Sequence, residues 1–97
     1  MSLSTHVLDT SKGRPAGDIR VRLDLHDDGW RTIADGHTDD DGRISWDTTE
    51  PGVYRLVFEV AGEFYPEVTV TFRVTGDDHY HVPLLISPYG YSTYRGS

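Results

Sequence analysis

The amino-acid sequence predicts an all-β fold of packed sheets, and three patterns support this. Apolar and polar residues alternate along much of the chain, as in IRVRLDLH at residues 19–26, which is the period of a half-buried strand. Turn-forming Gly, Pro and Asp recur roughly every ten residues, as in β-sandwiches and barrels. No window keeps the 3.6-residue apolar period of a long helix. We therefore expect one compact all-β domain over residues 1–97.

The alternation and the turns between its runs predict eight strands. They lie at residues 3–8, 19–26, 30–34, 43–47, 53–60, 68–75, 80–86 and 89–94. Pro83 interrupts the seventh, and because proline has no N–H for a ladder bond, we expect an edge, a bulge or an outward-facing position there. The eighth carries three Tyr close to the end of the chain, where a polar tail is more usual, so we expect another surface to cover it.

Composition and charge exclude several classes of function. The chain has 16 acidic against 9 basic residues, a formal charge of −7, and no Cys. Nucleic acid and anionic membranes are poor partners for it, since phosphates are bound by Lys and Arg. Thiol catalysis and thiolate metal sites are excluded, no apolar run is long enough for a transmembrane helix, and no signal peptide is evident. These features predict a cytoplasmic protein.

The residues with potential chemistry are histidines and one arginine. His6 lies on the first predicted strand, His81 on the seventh, and Arg43 opens the fourth, with its side chain on the outward face. A guanidinium there can bind a carbonyl or an anionic ring through two parallel hydrogen bonds. The alternative for Arg43 is an ion pair with the acidic turn at residues 39–41. For each histidine the alternative is a solvated surface position or a partly buried position with its hydrogen bonds satisfied.

Two patterns suggest metals only weakly. His79 and His81 share a strand face and could hold a surface ion, but a catalytic zinc needs a third ligand such as His6. The Asp-rich turn at residues 39–41 does not match a calcium loop, because His37 and Thr48 fall where the loop needs acidic residues. We therefore expect no metal and no other cofactor.

The order of several motifs resembles the transthyretin-like 5-hydroxyisourate hydrolases. These motifs are STHVLD at residues 4–9, GRPA at 13–16, TDDDGR at 38–43, YHVPLLISPY at 80–89 and YRGS at 94–97. They cover nearly the whole chain, and the final tetrapeptide favours the hydrolases over the thyroid-hormone carriers of the same family.

The resemblance implies a sandwich of two four-stranded sheets, with the first, fourth, seventh and eighth strands in one sheet. It also implies a homotetramer whose active sites lie between subunits in a central channel. Family members carry a short helix between the fifth and sixth strands. Residues 60–63 cross that gap directly, so we expect the helix to be missing.

The resemblance further implies hydrolytic opening of the 5-hydroxyisourate ring in urate degradation. It gives catalytic roles to His6, Arg43, His81 and Ser97, with Tyr94, Arg95 and Gly96 joining His6 and Arg43 in substrate binding. Arg43 would stabilise the carbonyl oxygen, and the two histidines would activate water and deliver a proton. The alternatives are a non-enzymatic carrier that binds a small ligand in the same channel, and a non-catalytic sandwich module.

Overall fold

Ten strands form two sheets in the computed structural model, which describes residues 2–47, 50–76 and 78–96. The strands are β1 (Ser2–Asp9), β2 (Arg14–Pro15), β3 (Arg20–His26), β4 (Trp30–His37), β5 (Arg43–Asp47), β6 (Gly52–Glu59), β7 (Val68–Val74), β8 (His79–His81), β9 (Leu84–Ser87) and β10 (Gly90–Thr93). All eight predicted strands are present. The count rises to ten because the seventh is divided and because the two-residue β2 lies where a turn was expected.

Sheet 1 is built around β1. On one side β1 pairs antiparallel with β5 and β2, and on the other it pairs parallel with β8 and β9, with β10 at the edge beyond β9. Sheet 2 has the order β4-β3-β6-β7, all antiparallel. The implied grouping of the first, fourth, seventh and eighth predicted strands is therefore confirmed.

The core lies between the inward faces of the two sheets. Alternate residues of β1, β3 and β6 supply most of it, and the fully buried side chains include Leu3, Val7, Leu23, Leu56 and Phe58. Burying each such side chain stabilises the fold by roughly 1.5–3 kcal/mol. The remaining residues of β1 and β5 face outward, which leaves one face of sheet 1 free to carry polar groups.

The interruption expected at Pro83 separates β8 from β9. Val82 still donates its N–H to the Ser4 carbonyl at 2.9 Å. The buried Thr5 hydroxyl donates to the Val82 carbonyl at 2.6 Å, and Thr93 donates to the Pro83 carbonyl at 2.7 Å. Side chains therefore satisfy the carbonyls that the broken ladder leaves without partners.

A short turn connects β6 to β7. The Ala61 N–H donates to the Pro66 carbonyl at 3.0 Å, and the Gly62 N–H donates to the Tyr65 carbonyl at 3.1 Å. No residue of this connection is helical, so the expected loss of the family helix is confirmed. Over the whole described part of the chain, no helix is long and apolar enough to cross a membrane.

Candidate active site

The outward face of sheet 1 collects most of the polar residues that the sequence singled out. Strand alternation places Ser2, Ser4 and His6 of β1 on the side opposite Leu3, Thr5 and Val7, which are buried. Arg43 on β5 and the two histidines of β8 lie on the same face, because Ile44 and Tyr80 turn into the core. We call this surface, formed by Ser2, Ser4, His6, Arg43, His79 and His81, the histidine face.

His6 and Arg43 are direct neighbours across the antiparallel pair of β1 and β5. Such a pairing brings Cβ atoms to about 5 Å from each other. The Nε2 atom of His6 is buried and has no hydrogen-bond partner within the described part of the chain. An unsatisfied buried polar atom is costly, so this nitrogen is an exception to the usual pairing of buried polar groups.

The alternative of an ion pair for Arg43 is not observed. The Asp39 carboxylate instead accepts backbone N–H groups from Asp41 and Arg43, at 2.9 and 3.0 Å. It thus closes the turn before β5. No carboxylate among the described residues lies within ion-pair distance of the Arg43 guanidinium, which is exposed on the histidine face and able to bind a carbonyl oxygen or an anion.

His81 is the half-buried histidine of β8, and Ser4 holds its ring. The Ser4 hydroxyl lies 2.8 Å from His81 Nδ1. Burial lowers the pKa of His81 below its usual value near 6.5, and the positive charges of His79, Arg43 and His6 lower that pKa further. The imidazole is therefore neutral at pH 7 and is able to act as a base.

His79 is more exposed than His81 and lies beside it. Its ring stacks on that of His81 with centroids 6.5 Å apart, and its Nε2 lies 3.0 Å from the Ser4 hydroxyl. Its Nδ1 contacts the hydroxyl of Ser2. No cluster of three metal-ligating side chains is found among the residues that the structure describes.

The chain returns to this face just before its end. The Gly96 N–H donates to the His81 carbonyl at 2.7 Å, and the two residues form an antiparallel bridge. A Cβ atom at Gly96 would lie only 2.6 Å from Cδ2 of the His81 ring. Glycine at this position therefore lets the backbone of the tail, the segment that follows β10, pass directly against the imidazole.

Two other tail residues predicted for the site, Tyr94 and Arg95, line a cavity at the edge of sheet 1. The Arg95 guanidinium lies over the Tyr80 ring, 4.4 Å from its centroid, on the inward side of sheet 1. Tyr94 is exposed and lines the same edge cavity of about 270 Å³ as Arg95. Ser97 lies outside the described residues. The structure thus brings His6, Arg43, His81 and Gly96 together and leaves the Arg95 side chain apart from them.

Sequence reasoning missed Ser4 as a contributor to the site. Ser4 precedes His6 by two residues on a strand, so alternation already placed both on one face. What the sequence did not supply was the register of β1 against β8, which puts Ser4 opposite His81.

A larger cavity lies elsewhere. Its volume is about 330 Å³, and Phe64, Ile86 and Tyr89 help to line it. It contains none of the histidines and no arginine. The histidine face of a single chain is an open surface, and its residues, not a cavity, mark it as the candidate site.

Comparison with known proteins agrees with this arrangement. A model of the HIUase/Transthyretin family matches residues 3–96. The chain belongs to this family. A 5-hydroxyisourate hydrolase of Salmonella typhimurium is 45% identical over 109 residues, which span 98% of this chain and 80% of that protein. A probable 5-hydroxyisourate hydrolase of Caenorhabditis elegans is 44% identical, over 99% of this chain and 81% of that protein.

Solved structures give the same relationship. The 5-hydroxyisourate hydrolase of Klebsiella pneumoniae superposes with a TM-score of 0.90 at 34% identity, and the match covers all of both chains. Sea bream transthyretin in complex with thyroxine reaches 0.87 at 33% identity, over 97% of this chain and 93% of that one. The family resemblance and the transthyretin-like fold expected from the sequence are confirmed.

Proposed function

We propose that this protein is an enzyme that opens the ring of 5-hydroxyisourate by hydrolysis in urate degradation. The product is 2-oxo-4-hydroxy-4-carboxy-5-ureidoimidazoline. The observation that carries the proposal is the grouping of His6, Arg43 and His81 on one face. The chain in which they are grouped is 45% identical to proteins named 5-hydroxyisourate hydrolase.

In the proposed reaction, water attacks a ring carbonyl and the adjacent C–N bond breaks. Arg43 stabilises the negative charge that develops on the carbonyl oxygen, since its guanidinium is exposed and has no carboxylate partner among the described residues. His81 takes a proton from the attacking water, because its lowered pKa keeps it neutral at pH 7. His6, whose Nε2 has no described partner, delivers a proton to the leaving nitrogen.

The tail completes the substrate site in this proposal. Gly96 brings the backbone of the tail against His81. We infer that Tyr94 and Ser97 contact the substrate or the catalytic water. Arg95 contributes by fixing the tail on Tyr80, in addition to the binding role expected from the sequence.

We further infer a homotetramer with active sites between subunits. Two features of the single chain support it: Arg43 and His79 are exposed on the histidine face, and Tyr91 and Tyr94 are exposed at the edge of sheet 1. Light scattering coupled to size-exclusion chromatography tests this directly, because a mass of one or two chains in solution contradicts the proposed assembly.

The alternative is a carrier of a small ligand in the same channel, as the likeness to sea bream transthyretin with bound thyroxine suggests. The polar histidine face argues against it. An apolar or aromatic ligand gains little from an exposed guanidinium and several imidazoles, which are groups suited to acid–base catalysis. The hydrolase proposal is therefore the better supported of the two.

The proposed activity is tested with freshly generated 5-hydroxyisourate, whose decay is followed by ultraviolet absorbance with and without the protein. We expect clear acceleration over the spontaneous rate. The kcat of Arg43→Ala should be lower than that of the wild type by about 100-fold or more, as expected for a group that stabilises an oxyanion. Arg31→Ala, which removes an exposed arginine from sheet 2, serves as the matched control. A folded tetramer that leaves the decay unchanged would contradict the proposal and favour a carrier.

The cytoplasmic location expected from the sequence stays a prediction. Fractionation of the source cells with an antibody against this protein tests it, and recovery in a membrane or secreted fraction contradicts it.

A further inference from the structure

Ser2 and Ser4 alternate with His79 and His81 to form a continuous chain of hydrogen-bonding groups. The Ser4 hydroxyl lies 2.8 Å from His81 Nδ1 and 3.0 Å from His79 Nε2. The Ser2 hydroxyl contacts the remaining nitrogen of His79, Nδ1. This chain runs from a half-buried imidazole to one exposed on the surface of the subunit.

The parallel register of β1 and β8 produces this arrangement. Ser2 pairs with His79 and Ser4 with His81, so the side chains of two residues from each strand lie on the histidine face. The two imidazole rings are inclined by only 15° to each other. The Ser4 hydroxyl therefore lies within hydrogen-bond distance of both rings.

The number of protons allows this series of hydrogen bonds two consistent arrangements. A serine hydroxyl has one proton and a neutral imidazole has one N–H. In one state His81 Nδ1–H donates to Ser4, Ser4 to His79 Nε2, and His79 Nδ1–H to Ser2. His81 Nε2 is then a free base. In the other state every bond is reversed, and His81 Nε2 carries the proton.

The step from the first state to the second moves one proton across the chain. As Nε2 of His81 gains a proton, its Nδ1 proton passes to Ser4, and the Ser4 proton passes to His79 Nε2. His79 then passes its Nδ1 proton to the Ser2 hydroxyl, which releases its own proton to water. Among the residues that the structure describes, the charged and titratable groups that face His81 are His79 on its own strand, Arg43 on β5 and His6 on β1. All of these are cationic or neutral, so they favour departure of a proton from His81.

Hydrolysis of a cyclic amide requires such a path. The oxygen of water bonds to the carbonyl carbon, the C–N bond breaks, and one water proton ends on the leaving nitrogen. The other must leave, because the carboxylic acid that forms is ionised at neutral pH. We propose that Ser4 and His79 form a proton relay that carries this second proton from His81 to solvent. The inference rests on the proposed hydrolase function and adds two residues to it.

The relay predicts a specific defect in His79→Gln, whose amide can still donate to Ser4 but does not titrate. We expect kcat in dilute buffer to fall by about tenfold or more, with KM changed less than about twofold. Added imidazole should restore kcat in a saturable manner, after correction for decay without enzyme. Wild type and His37→Gln, which alters an exposed histidine of sheet 2, should show neither the loss nor the rescue.

Two results would overturn the relay. One is a wild-type kcat for His79→Gln in dilute buffer, and the other is a loss that no imidazole concentration restores, which indicates a structural role for His79. Either result in an enzyme that accelerates 5-hydroxyisourate decay leaves the hydrolase proposal intact. A wild-type protein without activity contradicts that proposal instead.

Ser4→Ala gives a readout that does not depend on turnover. Long-range ¹H–¹⁵N NMR reports the protonation of each ring nitrogen. In the wild type, a change of pH should shift the nitrogens of both rings together, because Ser4 links the two rings. In Ser4→Ala that linked shift should be lost while the dispersed spectrum of the folded sandwich remains. Identical His81 shifts in both proteins contradict the relay.

Discussion

The backbone N–H of Gly96 donates to the carbonyl of His81, with a distance of 2.7 Å between nitrogen and oxygen. This bond ties the end of the chain to the strand that carries the proposed general base. It also leaves no room for a side chain, because a Cβ atom at Gly96 would lie 2.6 Å from the His81 ring.

Gly96→Ala should therefore impair activity without unfolding the protein. The added methyl group must displace either the His81 ring or the tail, and misplacement of a catalytic group by about 1 Å can cost about 100-fold in rate. The measurement is kcat for 5-hydroxyisourate hydrolysis. Gly90→Ala is the matched control, since its Cβ would make only an ordinary contact, 3.6 Å from the Ser87 hydroxyl. Equal activity of the two variants would contradict the importance of the Gly96 contact.

The pH dependence of activity should reflect the lowered pKa of His81. Burial and the charges of His79, Arg43 and His6 disfavour its protonated form. The neutral base therefore persists below pH 6.5, and activity should decline only as the pH falls through the lower pKa of His81. Arg43→Gln removes one of these charges, so the pKa of His81 should rise and its titration should move to higher pH.

NMR titration of the His81 ring in both proteins measures that shift independently of rate. The acid limb of kcat/KM in the wild type should fall at the same pH as the ring titrates. A wild-type His81 that titrates above pH 6.5, or an Arg43→Gln variant that titrates at lower pH than the wild type, contradicts the assignment.

The contact between Arg95 and Tyr80 should position the tail. Cation–π contacts stabilise by roughly 0.5–2 kcal/mol, so Arg95→Met should lower kcat/KM by about 3-fold to 30-fold through poorer docking of Gly96 on His81. Arg95→Lys should recover part of the loss. Arg73→Met, which alters another arginine of the same edge cavity, is the control. If the Arg95→Lys and Arg95→Met variants are equally impaired, the contact with Tyr80 is not the cause.

Asp24 should contribute strongly to stability, far from the proposed site. Its carboxylate is 1% exposed and accepts hydrogen bonds from Arg22, Thr32 and Arg55. Removal of one partner from a buried ion pair costs about 3–5 kcal/mol. Because both arginines remain partly exposed to water, we expect a smaller loss for Asp24→Asn, about 2 kcal/mol at pH 7, measured by urea denaturation. Asp35→Asn, which breaks an exposed pair with Arg20, should cost less than about 1 kcal/mol.

The stability contributed by Asp24 should also depend on pH. Burial alone would raise the pKa of Asp24, but hydrogen bonds from Arg55, Thr32 and Arg22 outweigh burial and lower that pKa. A carboxyl group with a lowered folded-state pKa stabilises fully above its unfolded pKa, near 3.9, and loses this contribution as the pH falls through the folded value. The difference in unfolding free energy between wild type and Asp24→Asn should therefore narrow below pH 4. A difference that stays constant from pH 7 to pH 3 contradicts the charge-based explanation.

Local patterns in the sequence were sufficient to predict the strands. Alternation also assigned Arg43 to the outward side of its strand, and the structure places it there. The prediction was poorer at the turn that forms β2, because turn residues alone do not show that residues 14–15 pair back onto β1.

The arrangement of the tail could not be predicted from alternation. After Thr93 the chain leaves the β10 ladder, so the period of two no longer determines which side a residue faces. Arg95 consequently turns inward onto Tyr80, although the family motif suggested a place beside the substrate.

The sequence by itself determined the all-β class, the strand positions and the residue types available for acid–base chemistry, because these follow from local periodicity and composition. The missing helix followed from the resemblance to the family. Only the tertiary structure decided that Ser4 lies between His79 and His81, that Gly96 closes against His81, and that Arg43 has no carboxylate partner among the described residues. The physical reason is register. Hydrogen-bond pairing between distant strands selects which side chains meet, and a shift of one residue would place every one of them on the opposite face.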